Sequence, residues 1–334
     1  MKYTIATLAS HSCLQILKGA KDEGFTTLAI SLADRINFYK RFKFIDRIIS
    51  IKSYNDFFIL EKKLAKEKVI LVPHGSFTAY LGQNYENKLS MKHFGNTKVL
   101  AWEIDRNKQM QWMEKASIKL PKLIRNPNEI TRPVIVKLFG AKGGSGYFLA
   151  RDKREFAQKI GKIKNEEYII QEYMVGTPVY LQYFYSPLMQ QIELTGIDRR
   201  YESNADGLAR IPPYMSSAFE IEPSFTVIGN FPIVIRESLL PKVYEMGEAI
   251  VNQSKKIMGG KGLYGPFCLE TIVTPNQVFY CIEISCRIVA GTNLFISGSP
   301  YSDFIYPEGM SVGRRVAREI KEAIKKDKLN LVIN

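Results

Sequence analysis

The sequence predicts an α/β chain in two parts: an N-terminal parallel sheet of Rossmann-like type, then an α+β region built on antiparallel hairpins. Three observations carry that reading. Apolar strands alternate with helix-period segments over about the first 75 residues, the pattern of a parallel sheet with helices on both faces. A glycine-rich strand pair follows at 133–152, and a strand pair bearing two carboxylates lies late in the chain, at 262–287. A length of 334 residues allows two or three domains with proper cores.

Composition narrows the function class. Hydrophobic residues make up 46% and charged residues 24%, the balance of an ordinary soluble protein, and no apolar run reaches membrane-spanning length. The opening MKYTIATLAS is too short and too strand-like for a signal peptide, so a cytoplasmic protein with no membrane partner is expected. Cys13, Cys268, Cys281 and Cys286 lack CxxC spacing, and three of them fall inside predicted strands; they read as small buried residues in a reducing compartment. The net charge is +14, yet Lys and Arg are spread along the chain. That distribution speaks against nucleic acid and fits a phosphorylated small molecule drawn by a positive field. Three histidines are too few and too scattered for a zinc site, and no Ser-His-Asp or Cys-His arrangement suggests a covalent enzyme intermediate.

In chain order, KYTIATLA (2–9) is a strand and SHSCLQILKGAKDEG a helix ended by Gly24. TTLAISL is a strand, RINFYKRF a short helix, 47–51 a strand, 56–67 a helix and VILVP (69–73) a strand. Ligands of such sheets bind at the carboxyl ends of the strands. Two loops there, Ser10-His11-Ser12 and Pro73-His74-Gly75-Ser76, open helices and offer N–H groups and hydroxyls to a phosphate. His11 and Ser76 are therefore candidates to hold a phosphorylated substrate. The plainer reading makes Ser10, Ser12 and Ser76 N-caps and His74 a structural histidine. No GxGxxG marks the first turn, which argues against a dinucleotide site. The pattern loosens from Leu89 to Trp102, so a first domain over 1–98 and a second over 99–334 are expected. The second divides into a hairpin subdomain at about 120–190 and a core at about 191–334. DRNKQMQWMEKASIKLP (105–121) reads as an amphipathic helix stopped by Pro121.

In PVIVKLFGAKGGSGYFLARD (133–152), Lys137 sits at the end of an apolar run, where its ammonium must meet an anion or leave the core. Gly140, Gly143, Gly144 and Gly146 let backbone N–H groups approach a ligand, while Lys142 and Ser145 add a charge and a hydroxyl. The GK[ST] ending of a P-loop is absent, and the plainer reading is a flexible turn. EYIIQEYMVG (167–176) is a strand able to present the backbone of Gln171, Glu172 and Tyr173 to an adenine edge. Sheet continues over 179–203, followed by a polar cluster of Asp198, Arg199, Arg200 and Glu202. Asn230 falls in a loop, a helix runs from about Leu239 to Met258, and the tail is a basic helix.

The late strand pair carries the sharpest signal. Alternation puts Glu283, Ser285 and Arg287 on one strand face. A turn centred on Asn276 and Gln277 places Glu270 directly across from Glu283. Like charges opposite each other destabilise a strand pair, and half-buried carboxylates need a partner. A divalent cation between them removes both problems, and Arg287 adds a fixed positive charge for an anion beside it. The competing reading is a surface hairpin whose carboxylates pair with lysines.

In this order the parts resemble an ATP-grasp ligase over roughly 133–290. They are Lys137, the Gly140–Gly146 loop, QEYMVG at 171–176, Glu270, and Glu283-Ile284-Ser285-Cys286-Arg287. The N-terminal region resembles the domain that precedes the grasp. Two departures stand out. No acid follows the adenine strand at Thr177-Pro178-Val179, so Glu202 is the candidate for the ribose, and Ser285 replaces the asparagine of the metal motif.

More narrowly, ATLASHSCLQI, VPHGSF, KLFGAKGGSGYF, GNFPIVIRESLL and ISCRIVAGTN are similar to the archaeal formate-dependent synthetases of purine biosynthesis. These make 5-formaminoimidazole-4-carboxamide ribonucleotide from formate, ATP and 5-aminoimidazole-4-carboxamide ribonucleotide (AICAR). The resemblance implies that His11, Ser76 and Asn230 touch AICAR and that Lys137, the hairpin (Lys142, Gly143, Gly144, Ser145, Gly146), Gln171, Glu172, Tyr173 and Glu202 hold ATP. It implies further that Glu270 and Glu283 bind Mg²⁺ or Mn²⁺, that Lys137 and Arg287 neutralise charge on the transferred phosphoryl group, and that the chain forms a homo-oligomer such as a trimer or hexamer. Formyl phosphate is the intermediate implied. The alternatives left open are another ATP-grasp carboxylate–amine ligase and a non-enzymatic basic protein that binds nucleotides or nucleic acid.

Overall fold

The computed structural model describes residues 3–83, 85–138, 146–163, 167–212, 214–215 and 224–334. Four of the hairpin residues singled out above, Lys142, Gly143, Gly144 and Ser145, lie outside the described residues, as does Gly140.

The N-terminal strands β1 (Thr4–Leu8), β2 (Thr26–Leu32), β3 (Arg47–Ile51) and β4 (Val69–Leu71) form one parallel sheet in the order β3-β2-β1-β4. β1, β2 and β4 are buried nearly throughout, which is why they read as continuous apolar runs and not as alternating ones. The strand order reverses at β1, whose neighbours β2 and β4 lie on opposite sides, so a crevice opens where the β1 and β4 loops meet. That adjacency puts the His11 loop beside the Ser76 loop, 65 residues apart in sequence.

The remaining strands form two antiparallel sheets. One, in the order β5-β8-β6-β7, contains β5 (Leu123–Ile124), β6 (Val134–Leu138), β7 (Tyr147–Ala150) and β8 (Tyr168–Glu172). The other runs β11-β10-β9-β12-β13, with β9 (Thr177–Ser186), β10 (Gln191–Glu202), β11 (Val227–Pro232), β12 (Gly265–Val273) and β13 (Phe279–Ser285). Helix Leu240–Met258 packs under this second sheet through a stripe that includes Val243, Gly247, Ile250 and Val251, spaced three and four apart. Pro241 opens it, and Gly259 at φ 69° ends it.

Several sequence expectations shift. The helix expected over 105–121 is Arg106–Lys115; Ser117, at φ 59°, breaks it before Pro121 is reached. The segment that looked like a loose boundary contains helix Thr97–Ile104. Asn230 is in strand β11, not a loop, whereas the sheet expected over 179–203 is present as β9 and β10, with Asp198 to Glu202 inside β10. Arg200 and Glu202 of β10 face the cavity described below, while Asn230 and Asp198 bond to each other across β10 and β11, so neither strand shows a clean apolar alternation.

The C-terminal helix Val312–Lys325 returns to pack on helix Cys13–Asp22 of the N-terminal sheet. Two glycines permit the approach: a Cβ on Gly19 would lie 2.2 Å from the Arg314 nitrogen, and one on Gly313 would lie 2.3 Å from the Gln15 carbonyl oxygen. Backbone, not a pliable side chain, would have to move. Gly19→Ala is therefore expected to lower unfolding free energy by about 1–3 kcal/mol, read as a lower urea midpoint; an unchanged midpoint would contradict this packing.

Candidate functional site

The site is built on the β12–β13 hairpin. Val273 pairs with Phe279, Ile272 with Tyr280 and Thr271 with Cys281; the register then slips, and Glu270 faces Glu283. The expected pairing of the two acids is present, but by a different route. The loop closes through the Gln277 N–H on the Thr274 carbonyl (2.8 Å), with Gln277 at φ 60°, one residue out of the register a turn centred on Asn276 and Gln277 would give. A bulge at Ile282 restores that residue. In consequence Ile282 and Glu283, which a regular strand would point to opposite faces, both line one cavity.

That cavity, of about 510 Å³, lies between the two antiparallel sheets and has the size of a small-ligand site. Lys137, Gly146, Gln171, Glu172, Tyr173, Glu202, Glu270 and Glu283, all singled out from the sequence, line it together. Arg106, Tyr147, Tyr180 and Arg200 also line it and were missed. Arg106 fell in the expected amphipathic helix with no role assigned, and Arg200 in the polar cluster with Asp198, Arg199 and Glu202. Ile135, Met174 and Ile272 add apolar side chains to the lining.

Register explains the convergence. Lys137 on β6 lies opposite Tyr147 on β7 and Ile169 on β8, so the base of the glycine-rich hairpin opens on the same space as Gln171. On the facing sheet Tyr180, Glu270 and Glu283 form one row across β9, β12 and β13. The backbone of the presumed adenine strand is more committed than expected. The Glu172 N–H donates to the Lys122 carbonyl (2.9 Å) and the Tyr173 N–H to the Pro133 carbonyl (3.0 Å), while the Glu172 side chain pairs with Arg132.

The charges are unevenly compensated. Arg200 ion-pairs with Glu270, and its guanidinium lies 4.0 Å from the centre of the Tyr180 ring. Among the described residues Glu283 and Lys137 have no ion-pair partner. Burial, and then the neighbouring Glu270, push the Glu283 carboxyl above the usual carboxylate range. Burial pulls the Lys137 ammonium down, partly opposed by the Glu283 charge. Burial also raises Glu202 to about 7, with Asp206 adding to the shift and Arg200 opposing it.

The other candidates gather at the N-terminal crevice. His11 and His74 stack with ring centres 5.2 Å apart, and His74 is fully buried with Nε2 3.0 Å from the Leu8 carbonyl. His11 sits at the open mouth of the crevice, where partial desolvation of its ring and then the nearby Arg287 lower it to about 4; burial and His11 lower the enclosed His74 to about 3. Both rings are neutral at neutral pH. Arg287 lies beyond the end of β13, not on its face as alternation suggested, and pairs with Glu103 at 3.0 Å. A Cβ on Gly75 would lie 2.6 Å from His11 Nε2 and 3.1 Å from an Arg287 nitrogen, so Gly75 is the small residue that lets these two groups converge. The Gly75 N–H donates to the Ile288 carbonyl (3.0 Å), tying the β4 loop to the chain leaving β13. Asn230 stands apart: its amide donates to Asp198 (2.8 Å), which also accepts from Gln182 (2.6 Å).

The donor set decides which metal the residues fit. Among the described residues no three His, Cys, Asp or Glu side chains form a cluster. Two opposed carboxylates, one lacking a cationic partner, fit a hard divalent ion that keeps its waters and takes its remaining oxygens from a phosphate chain, as Mg²⁺ does. They do not fit zinc.

Comparison with known proteins agrees in outline. Two family models match, "Domain of unknown function (DUF1297)" over residues 150–334 and "Protein of unknown function (DUF1246)" over residues 5–124. The chain is 49% identical over 337 residues to the 5-formaminoimidazole-4-carboxamide-1-(beta)-D-ribofuranosyl 5'-monophosphate synthetase of Saccharolobus solfataricus, covering 99% of each chain. It is similar to the crystal structure of an IMP biosynthesis protein PurP from Thermococcus kodakaraensis, with 31% identity, a TM-score of 0.80 and 99% and 100% coverage. The N5-carboxyaminoimidazole synthetase of Staphylococcus aureus complexed with ADP, at 15% identity and TM-score 0.64, covers 89% of this chain and 74% of its own. At that identity the likeness concerns the fold, which is the ATP-grasp fold expected from the sequence.

The raised Glu202 carboxyl gives a pH test. Its stabilising contribution is complete below the exposed-glutamate pKa of about 4.3 and is lost as pH rises through about 7. Glu202→Gln, which fixes the neutral state, is expected to raise the melting midpoint of the ligand-free protein more at pH 8 than at pH 5. An equal shift at both pH values would contradict the burial of this carboxyl.

Proposed function

Because the chain belongs to the family of 5-formaminoimidazole-4-carboxamide ribonucleotide synthetases, we propose that it joins formate to the 5-amino group of AICAR, with ATP converted to ADP and phosphate, in the route to IMP. The reaction class is ATP-dependent C–N bond formation. The observation that carries this reading is one cavity in which Lys137, Glu202, Glu270 and Glu283 converge, tied through Gly75 and Ile288 to the crevice of His11 and Ser76. Four free cysteines, three of them fully buried, suit the reducing cytoplasm we assign to it.

Formate is a poor acyl donor because its leaving group would be oxide. In the first step a formate oxygen attacks the γ-phosphorus of ATP, the bond to the β-phosphate oxygen breaks, and ADP leaves with formyl phosphate formed. In the second the AICAR amine attacks the formyl carbon, phosphate departs with the C–O bond electrons, and the nitrogen gives up a proton. The chain contributes position and charge more than bond chemistry.

Lys137, which has no ion-pair partner among the described residues, would neutralise the phosphoryl oxygens as charge builds on them. Ile135, Met174 and Ile272 would take the adenine ring, and Glu202 the ribose. The hairpin of Lys142, Gly143, Gly144, Ser145 and Gly146 would cover the phosphates and keep water from the acyl phosphate. His11, held neutral, would serve AICAR as a hydrogen-bond partner and not as a cation, with Ser76 beside it; the cationic charge of that crevice comes from Arg287. Asn230 would reach AICAR only by releasing Asp198. Glu270 and Glu283 would hold Mg²⁺ or Mn²⁺, which supplies charge neutralisation at the phosphate oxygens when bound.

The test is ADP release. It is expected to require formate and AICAR together; release indifferent to formate would overturn the substrate assignment in favour of another carboxylate. Glu283→Gln is expected to lower kcat at least about 100-fold while circular dichroism is retained and the melting midpoint does not fall, since neutralising one of the opposed acids relieves their repulsion. Turnover near the wild-type rate in that variant would overturn the metal assignment.

A further inference from the structure

Among the described residues, Arg200 is the one cation lining the cavity that is ion-paired to a carboxylate of the opposed pair. Its Nη2 donates to Glu270 Oε1, and its guanidinium rests on the Tyr180 ring at 4.0 Å. The row explains the reach. Tyr180 stands opposite Glu270, and Asp198, two residues before Arg200, stands opposite Tyr180 on the other side. Arg200 thus leans across one strand to occupy the acid that the divalent ion also needs. The side chains are sheltered, with 25% of Arg200 and 7% of Glu270 exposed, so the pair is only partly screened by water.

We propose that Arg200 is a resident counter-ion: it stands in for the metal on Glu270 in the empty enzyme and transfers to the nucleotide phosphates when metal and nucleotide arrive together. This rests on the ATP-ligase reading above and adds an order of events to it. A free divalent cation entering alone would have to displace a guanidinium from Glu270 and leave that positive charge unpaired beside itself. A metal–nucleotide complex brings phosphate oxygens that re-pair Arg200 as it lets go. The Tyr180 ring keeps the freed guanidinium in the cavity through its π face. The device also lessens the repulsion between Glu270 and Glu283 before any ligand binds.

The experiment measures Mn²⁺ binding to nucleotide-free protein by electron paramagnetic resonance, and Mn·ADP binding by calorimetry, in the wild type, Arg200→Met, Arg200→Lys and Tyr180→Leu. Arg200→Met is expected to bind free Mn²⁺ about tenfold more tightly than the wild type and Mn·ADP about tenfold more weakly. Opposite movements of the two affinities distinguish this role from general loss of structure, which would weaken both. Arg200→Lys, which keeps the charge, is expected to restore weak binding of free Mn²⁺. Tyr180→Leu retains Arg200 and is expected to weaken Mn·ADP alone; it also serves if Arg200→Met does not fold. Free Mn²⁺ affinity within twofold of wild type in Arg200→Met, or both affinities falling together, would overturn the proposal. If the wild type itself fails to bind Mn·ADP, the ligase reading falls first; if it binds and Arg200→Met matches it, only the role of Arg200 is lost.

Discussion

Two glutamates opposite each other on neighbouring strands are an electrostatic cost, and the site can be understood as the means of bearing it. A salt-bridged surface hairpin would have solved the problem with lysines. Here the hairpin faces inward instead: Glu270 is buried, Glu283 is partly covered, and among the described residues the one basic group paired with either acid is Arg200 on another strand. Burial amplifies the repulsion because little water screens it. What remains is a pair of acids with more negative charge than Arg200 offsets, in a cavity that Ile135, Met174 and Ile272 also line. A nucleotide with a divalent ion on its phosphate tail suits that combination.

The same hairpin links the two halves of the chain. The segment leaving β13 passes directly to the β4 loop through Gly75 and Ile288, and Arg287 sits at this crossing between Glu103 and His11. A phosphorylated acceptor at the strand ends of the parallel sheet and a nucleotide between the antiparallel sheets would therefore approach each other along one short piece of backbone. The C-terminal helix, packed on helix Cys13–Asp22 through two glycines, holds the parallel sheet against the rest.

Much of this was legible in the sequence because it depends on local rules. The parallel sheet followed from strands alternating with helices, and the opposed acids from a short turn between two β-rich runs. The turn register was nevertheless one residue off, and the pairing survived because a bulge at Ile282 compensates, a feature no local rule anticipates. What escaped was long-range. Arg200 and Arg106 reach the cavity through strand order and helix placement, which sequence spacing does not encode. The nearness of His11 to Ser76 depends on β4 inserting beside β1. Asn230 was misplaced for a physical reason: it lies on an edge strand, where exposed residues and a hydrogen bond to Asp198 replace the apolar alternation by which a strand is recognised.

The most direct test of the central claim is anomalous scattering from crystals grown with Mn·ADP. The account predicts a manganese peak between the two acids, within about 2 Å of oxygens from both Glu270 and Glu283 and in contact with the ADP phosphates. A nucleotide bound elsewhere, or manganese on the phosphates with Glu283 turned away from it, would contradict the claim that this opposed pair exists to hold a metal-bound nucleotide tail.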